Sequence, residues 1–409
     1  MDNRRHARPN CRKLLGMTRH NASTRKADID RESGVTLRGP ADLAVALPHL
    51  LGFRPDDSIV LIGLHGPRGR LGGRVRMGIP DDPAHWAEAA DHMAASLAEC
   101  GARYGTRPDA AVAYLCQEPP SGTQADALME RLRPLAQRLR TACGALDIPV
   151  HEALYLANGR FWSYCCTGTG ASCPDDGREL PDESTSPVAA AAVLAGIPRP
   201  GPLRDIERRL MPPEGFPVAP QVRALDAAAT ALLPRMLGTP ADIEDVRGET
   251  LGLAERLLDR LRRATARGEG GPPETDAADD ALITSAEAAR LLIGLQDRIA
   301  RDRAAEWMEG REAPVALRLW SALARRCVAE YADHAAAPLT LAGWVAWSTG
   351  DGIGAHVALG RALSADPEYV FARLLHQACN EGIDPEPLRR SMRQQRADRR
   401  RRGGGSGPL

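Results

Sequence analysis

Apolar positions along this chain change period once, near residue 170. Before that point, short apolar runs alternate with helical patterns. Gly39-Pro40-Ala-Asp42 opens a helix, with proline in the first turn where its missing N–H costs nothing. Leu43, Leu47, Leu50 and Leu51 form its apolar face. Ser58-Ile-Val-Leu-Ile-Gly-Leu64 reads as a strand, and Gly73 to Ile79 alternates like its hairpin partner. Asp82-Pro83 caps a helix to about residue 100, with Trp86, Ala90, Met93 and Leu97 on one side. Ala110 to Cys116 is a second buried-type strand. Ser121-Gly-Thr-Gln124 matches a capping box ahead of Leu128, Leu132, Leu135 and Leu139. Pro134 is expected to kink or split that helix. Val150–Leu156 and Arg160–Cys165 form a hairpin around Asn158-Gly159, a favoured two-residue turn.

Beyond a polar, turn-rich stretch at 171–187, only helical patterns remain. Val246, Leu253, Leu257 and Leu261 make one face. Leu291, Leu295 and Ile299 make another, behind the capping box Thr284-Ser-Ala-Glu287. Leu317, Trp320, Ala324, Cys327 and Tyr331 make a third. Gly343, Gly350, Ala355, Ala362 and Pro367 fall at the spacings of a tetratricopeptide helix–turn–helix, with no second copy 34 residues away. The expected architecture is an α/β N-terminal domain (mixed, largely parallel sheet with hairpins) followed by an all-α, weakly tetratricopeptide-like C-terminal domain. In residue terms these are a disordered basic leader (1–33), an α/β domain (34–170), a linker (171–187), a helical domain (188–384) with a mobile spacer (268–280), and a disordered Arg-rich tail (385–409).

Composition narrows the function classes. No apolar run approaches the ~20 residues a membrane span requires, and the basic start has no signal-peptide core. Nine scattered cysteines read as thiols of a cytoplasmic protein, not a disulfide framework. The chain has only two lysines, Lys13 and Lys26, and neither follows a glycine, so a phosphate-binding P-loop is excluded. Zinc-protease, calcium-loop and serine-elbow motifs are missing too. The 53 basic and 53 acidic residues cancel, but not locally. Residues 27–385 hold 37 basic against 50 acidic residues, while 1–26 hold eight against one and 386–402 hold eight against two. An acidic body is a poor surface for phosphate backbones, so any nucleic-acid contact belongs to the tails.

The order of features is familiar. Leu37-Arg-Gly-Pro-Ala-Asp-Leu43 and Leu50-Leu-Gly-Phe-Arg-Pro-Asp-Asp-Ser-Ile-Val60 resemble the opening signature of an uncharacterised actinobacterial family, domain of unknown function 4192. Gly159-Arg-Phe-Trp-Ser-Tyr-Cys-Cys166 with Cys173-Pro174, and Gly343-Trp-Val-Ala-Trp347 through Asp366-Pro367, resemble its later segments. The resemblance spans about residues 35–385 and departs from the family's Cys-Cys-Pro at Ser172-Cys173-Pro174. It implies an architecture and no activity. It also implies a start near Met17, with residues 1–16 an extension of the gene model.

Candidate chemistry is sparse. His151, Cys166 and Cys173 are the metal candidates, for zinc. Cys165 and Cys166 point to opposite faces of a strand, and the gap to Cys173 is long for a zinc site. A Cys166–Cys173 redox pair and incidental buried thiols are the other readings, and the thiols are the leading one. Asp81, Asp82 and Glu118 lie at strand ends, where open α/β sheets bind ligands, and paired carboxylates there suit Mg²⁺ or acid–base work. As competing readings, Asp82 is a helix cap and Glu118 sits in a turn before Pro119-Pro120. His85, Glu88 and His92 share one side of a helix and read as a solvated face. The leading expectation is therefore an interaction or regulatory protein that meets a protein partner through its helical domain. A metal- or nucleotide-dependent enzyme and an Arg-tail nucleic-acid binder are the alternatives.

Overall fold

The structure is a computed structural model that describes residues 18–20, 37, 39–103, 106–165, 176–182, 186–194, 201–265 and 272–404. It divides into two compact units, one up to Arg204 and one from Asp205. Helices alone follow from Pro187 onward among the described elements, and the first of them packs into the first unit.

In the N-terminal unit the chain runs β1 (Thr18–His20), α1 (Pro40–Leu51), β2 (Ser58–His65), β3 (Arg70–Gly78), α2 (Trp86–Arg103) and β4 (Ala110–Cys116). It continues through α3 (Ala125–Gly144), β5 (Val150–Ala157), β6 (Arg160–Ser163), β7 (Arg178–Glu179) and α4 (Pro187–Leu194). The strands form one mixed sheet in the order β1-β3-β2-β4-β5-β6-β7. The sheet is not largely parallel. Among the described strands only β4 and β5 run parallel, joined by α3 as the crossover, and every other strand pairing is antiparallel. A parallel neighbour needs a long crossover. Only the β4–β5 connection supplies one between adjacent strands. The helix α2 instead carries the chain from β3 past β2 to β4.

The strands β2 and β4 are buried along nearly their whole length because helices cover both faces. Ile59, Leu61, Val75, Met77, Ala113 and Leu115 pack with Met93 and Leu97 of α2 and Leu132, Leu135 and Leu139 of α3. The side chains that alternate with these, including Val60, Ile62 and Tyr114, are equally buried, and the Tyr114 hydroxyl donates to the Leu43 carbonyl of α1 at 3.2 Å. Gly52 ends α1 in the left-handed region at φ 82°, donating its N–H to the Pro48 carbonyl. Asn158 (φ 51°) and Gly159 (φ 69°) make the turn between β5 and β6, as their pairing predicts. Two local expectations fail here. Gln124 is the residue that precedes α3, with no side-chain cap, so the Ser121 box does not form. Pro134 lies inside an unbroken helix.

The second unit begins with α5 (Leu203–Arg208), which straddles the boundary, then α6 (Val218–Met236), α7 (Pro240–Thr265), α8 (Pro272–Ala281), α9 (Ser285–Gly294) and α10 (Arg298–Ala304). The helices α11 (Ala313–Ala324), α12 (Ala336–Ser348), α13 (Gly352–Ala365), α14 (Val370–Asn380) and α15 (Glu386–Gly404) complete it. The Thr284–Glu287 capping box forms in full. Every residue of α12 is buried, which makes it the axis of the unit. A Cβ on Gly343 would stand 2.6 Å from Leu359 Cγ, so the glycine sets how closely α12 and α13 approach. The turn between them runs through Gly350 at φ +86°. α11 stops at Ala324, and Tyr331 lies in a separate short 3₁₀ turn instead of extending the same face.

Two segments expected to lack structure are helices. The residues of the 268–280 spacer from Pro272 onward belong to α8. The Arg-rich segment beyond 385 is α15. In both cases the order comes from ion pairing with residues distant in sequence, which composition does not reveal.

Candidate functional site

The carboxyl ends of β3, β4 and β5 lie along one edge of the sheet, beside the start of the antiparallel β2. The register pairs Ser58 with both Gly78 and Cys116. Asp81-Asp82, Gln117-Glu118 and Asn158 follow these ends, so the sequence candidates do share an edge. Their hydrogen bonds are structural, however. Asp82 accepts the Ala84 N–H at 2.9 Å as a cap, and its other oxygen is 3.7 Å from His85 Nδ1. Glu118 accepts the Asn158 N–H at 2.8 Å, holding the left-handed turn residue. Asp81 is exposed.

The same edge holds a polar group that the sequence pattern concealed. Strand alternation sends Val75 and Met77 into the core against α2 and α3, so Arg74 and Arg76 face the α1 side. Arg74 donates to the Leu50 carbonyl in the last turn of α1, where a cation complements the helix dipole. Arg76 Nε donates to Ser58 Oγ at 2.9 Å, and its guanidinium lies 5.8 Å from the Phe53 ring centre. Ser58 in turn donates to the Asp56 carbonyl. Arg54 exchanges backbone bonds with Gly201 and Leu203, and Asp56 is 3.9 Å from Arg204. The family-like Phe53-Arg-Pro-Asp-Asp-Ser58 segment is thus occupied in fastening a loop to the sheet. Asp56 Oδ2, which faces Arg204, and Gln117 Oε1 are buried there with no hydrogen-bond partner among the described residues.

Burial pushes the Cys116 thiol up, opposed by Arg76 and reinforced by Asp56 and Glu118. A thiol so raised stays protonated near neutral pH and is a poor nucleophile. The Tyr155 phenol, raised mainly by burial, donates to the Gln117 carbonyl at 2.9 Å. Neither group is poised for acid–base work.

Of the metal candidates, His151 is exposed on β5, and Cys166 and Cys173 lie outside the described residues. Cys165 is half-buried, with its thiol raised first by burial. Among the described residues, no group of three or more His, Cys, Asp or Glu side chains could hold a metal ion. Likewise, no helix there is long and apolar enough to cross a membrane.

In the helical unit, one polar cluster was not legible from the sequence. His356 Nδ1 contacts the Gly352 carbonyl at 2.6 Å, and Nε2 contacts Asn380 Oδ1 at 3.1 Å. Asn380 Nδ2 reaches His376 Nδ1 at 3.2 Å. Burial holds both imidazoles below their ordinary value, His376 to about 4, where His356 adds to the effect. Burial thus favours the neutral form of both rings.

The same unit locks α8 with arginines. Arg209 pairs with Asp276, Arg318 with Asp279, and Arg325 with Asp280 at 2.9 Å. Arg326 donates to the Asp280 and Ile283 carbonyls instead. Asp279 and Arg325 are almost fully buried, at 1% and 4% side-chain exposure, so these pairs belong to the packing and not to an open site.

A family model described as Domain of unknown function (DUF4192) matches residues 40–386. No curated protein and no solved structure matches the chain.

Proposed function

We propose that this chain, which belongs to the domain of unknown function 4192 family, acts as an interaction or regulatory protein through its helical unit. The carrying observation is the outer face of α14. Val370 and Leu374, one turn apart, are 65% and 61% exposed, while Ala372, Leu375, His376 and Cys379 of the same helix are buried. An apolar pair displayed beside a fully packed core suits the apolar face of a partner segment. The charge-paired surroundings and the raised, buried thiols of the sheet unit support a role without nucleophilic chemistry. The free, buried Cys116, Cys143, Cys327 and Cys379 support a reducing, cytoplasmic setting. Affinity capture from the native host with the wild-type chain and V370S/L374S tests the reading. It expects a stoichiometric protein recovered by the wild type and lost by the variant; no such protein, or equal recovery by both, overturns it.

The runner-up, a metal- or nucleotide-dependent enzyme using the strand-end carboxylates, draws on Asp56, whose Oδ2 lies 3.9 Å from Arg204, and on Gln117 Oε1, buried next to Glu118 with no hydrogen-bond partner among the described residues. On that reading D56N and Q117L weaken binding of Mg²⁺ or a nucleotide, measured by calorimetry; no heat of binding to the wild type ends it.

A further inference from the structure

The eight arginines of residues 386–402 lie on a helix that carries no aromatic residue and almost no apolar surface. Arg389 and Arg393 both reach Glu309 at 2.7 Å, Arg396 grips Glu312 with two bonds at 2.7 and 2.8 Å, and Arg399 pairs with Glu306. These arginines recur every three or four residues, so one stripe of α15 lies along a ridge formed by Glu306, Glu309 and Glu312. Of its apolar residues, Leu388 and Met392 are only half-buried. Glu306 is itself buried, but the Glu309 and Glu312 pairs are half-buried; pairs of that exposure contribute about 0.2–1 kcal/mol each, and salt screens them over about 10 Å. Most helix stability in proteins comes from packing an apolar face, and this helix nearly lacks one. The attachment is therefore both weak enough to release and electrostatic enough to be competed away.

We propose that α15 is a releasable strap whose arginine stripe serves two alternative acidic surfaces: the glutamate ridge of its own chain and the phosphate backbone of a nucleic acid. The guanidinium fork that grips Glu312 with two bonds offers the same geometry to phosphate oxygens. Without aromatics to stack on bases, the strap contacts backbone and reads no sequence. Masking of the stripe by the ridge makes binding by the intact chain weak. Neutralising the ridge unmasks it. The acidic body of the chain disfavours nucleic acid elsewhere on its surface.

The test uses the full chain and a fluorescent 30-nucleotide single strand and its duplex, in low and moderate salt. E306Q/E309Q/E312Q is expected to bind at least tenfold more tightly than the wild type, with a steeper loss of affinity as salt rises. R389Q/R393Q/R396Q/R399Q is expected to lose that binding. Hydrogen exchange run in parallel should show α15 losing protection in the glutamine-ridge variant while α12 and α13 keep theirs, which establishes that the variant is folded. Overturning results are a released strap with no gain in binding, a strap that stays protected after the ridge is neutralised, or equal binding by the four-arginine variant. Binding to an anionic vesicle or an acidic peptide but not to the oligonucleotides also overturns the assignment to nucleic acid.

Discussion

The two units bury comparable cores and stabilise their buried polar groups in different ways. In the sheet unit, backbone ladders satisfy the strands, and the side-chain bonds are caps and fasteners, such as Asp82 to Ala84 and Glu118 to Asn158. In the helical unit, charged side chains pass into the packing itself, as Arg325 between Asp276 and Asp280 does. Helices satisfy their own backbones, so long-range polar contacts between them must come from side chains. Arginine suits that task because its fork stays charged and bonds two carboxylate oxygens at once. The contrast predicts a sheet unit sensitive to lost volume and a helical unit sensitive to lost charge partners.

The largest expected effect is Asp279→Ala, which strands Arg318 and costs about 3–5 kcal/mol, as for other broken buried pairs. Urea unfolding followed by hydrogen exchange should place the loss in the helical unit; a cost below 1 kcal/mol would mean the pair is dispensable. In the sheet unit, Leu61→Ala removes a side chain with no exposure at all, and a cost of about 2–5 kcal/mol is expected. Its effect should spare the helical unit's exchange rates.

Acid offers a third comparison. The two buried histidines have lowered pKa values in the folded state, so their neutral forms stabilise it fully above about pH 6.5, the unfolded value. That stability declines as pH falls toward His376's folded value of about 4. A shift of that size corresponds to a loss of about 3 kcal/mol, concentrated in α13 and α14. Replacing His376 with Gln should flatten the pH dependence between 6.5 and 4; an unchanged slope would assign it to other groups.

Next comes Gly343→Ala, where the new methyl meets Leu359 and costs about 1–3 kcal/mol by thermal melting. The smallest effect is expected at Ser121→Ala. Its capping box is absent from the fold, so a change within about 0.5 kcal/mol is predicted. A loss near 1 kcal/mol would restore the cap.

What the sequence revealed follows the range of the physics involved. Ser58–Leu64, Ala110–Cys116 and the Asn158-Gly159 hairpin were readable because alternation and turn chemistry are local. The Thr284–Glu287 box was readable for the same reason. The parallel share of the sheet was overestimated because a helix between two strands does not say which strand the chain returns beside; α2 brings β4 to β2, not to β3. Residues 276–280 looked like a spacer because the partners of Asp276, Asp279 and Asp280 lie at Arg209, Arg318 and Arg325. Likewise, Arg396 finds Glu312 across a separation of 84 residues. At the candidate site, the shared edge was legible and the use of its carboxylates as caps was stated as the competing reading. The Arg76–Ser58 contact was hidden in an ordinary strand alternation.

Charge pairing organises the helical unit, down to its last helix, and not the sheet unit. Amide hydrogen exchange of the full chain at 50 mM and 1 M salt, where screening lengths are roughly 10 Å or more and about 3 Å, separates the two units. The expected result is a marked loss of protection in α15 and little change in β2, β4 and α12. Protection of α15 that is indifferent to salt, or a loss shared equally by the strands, would contradict it.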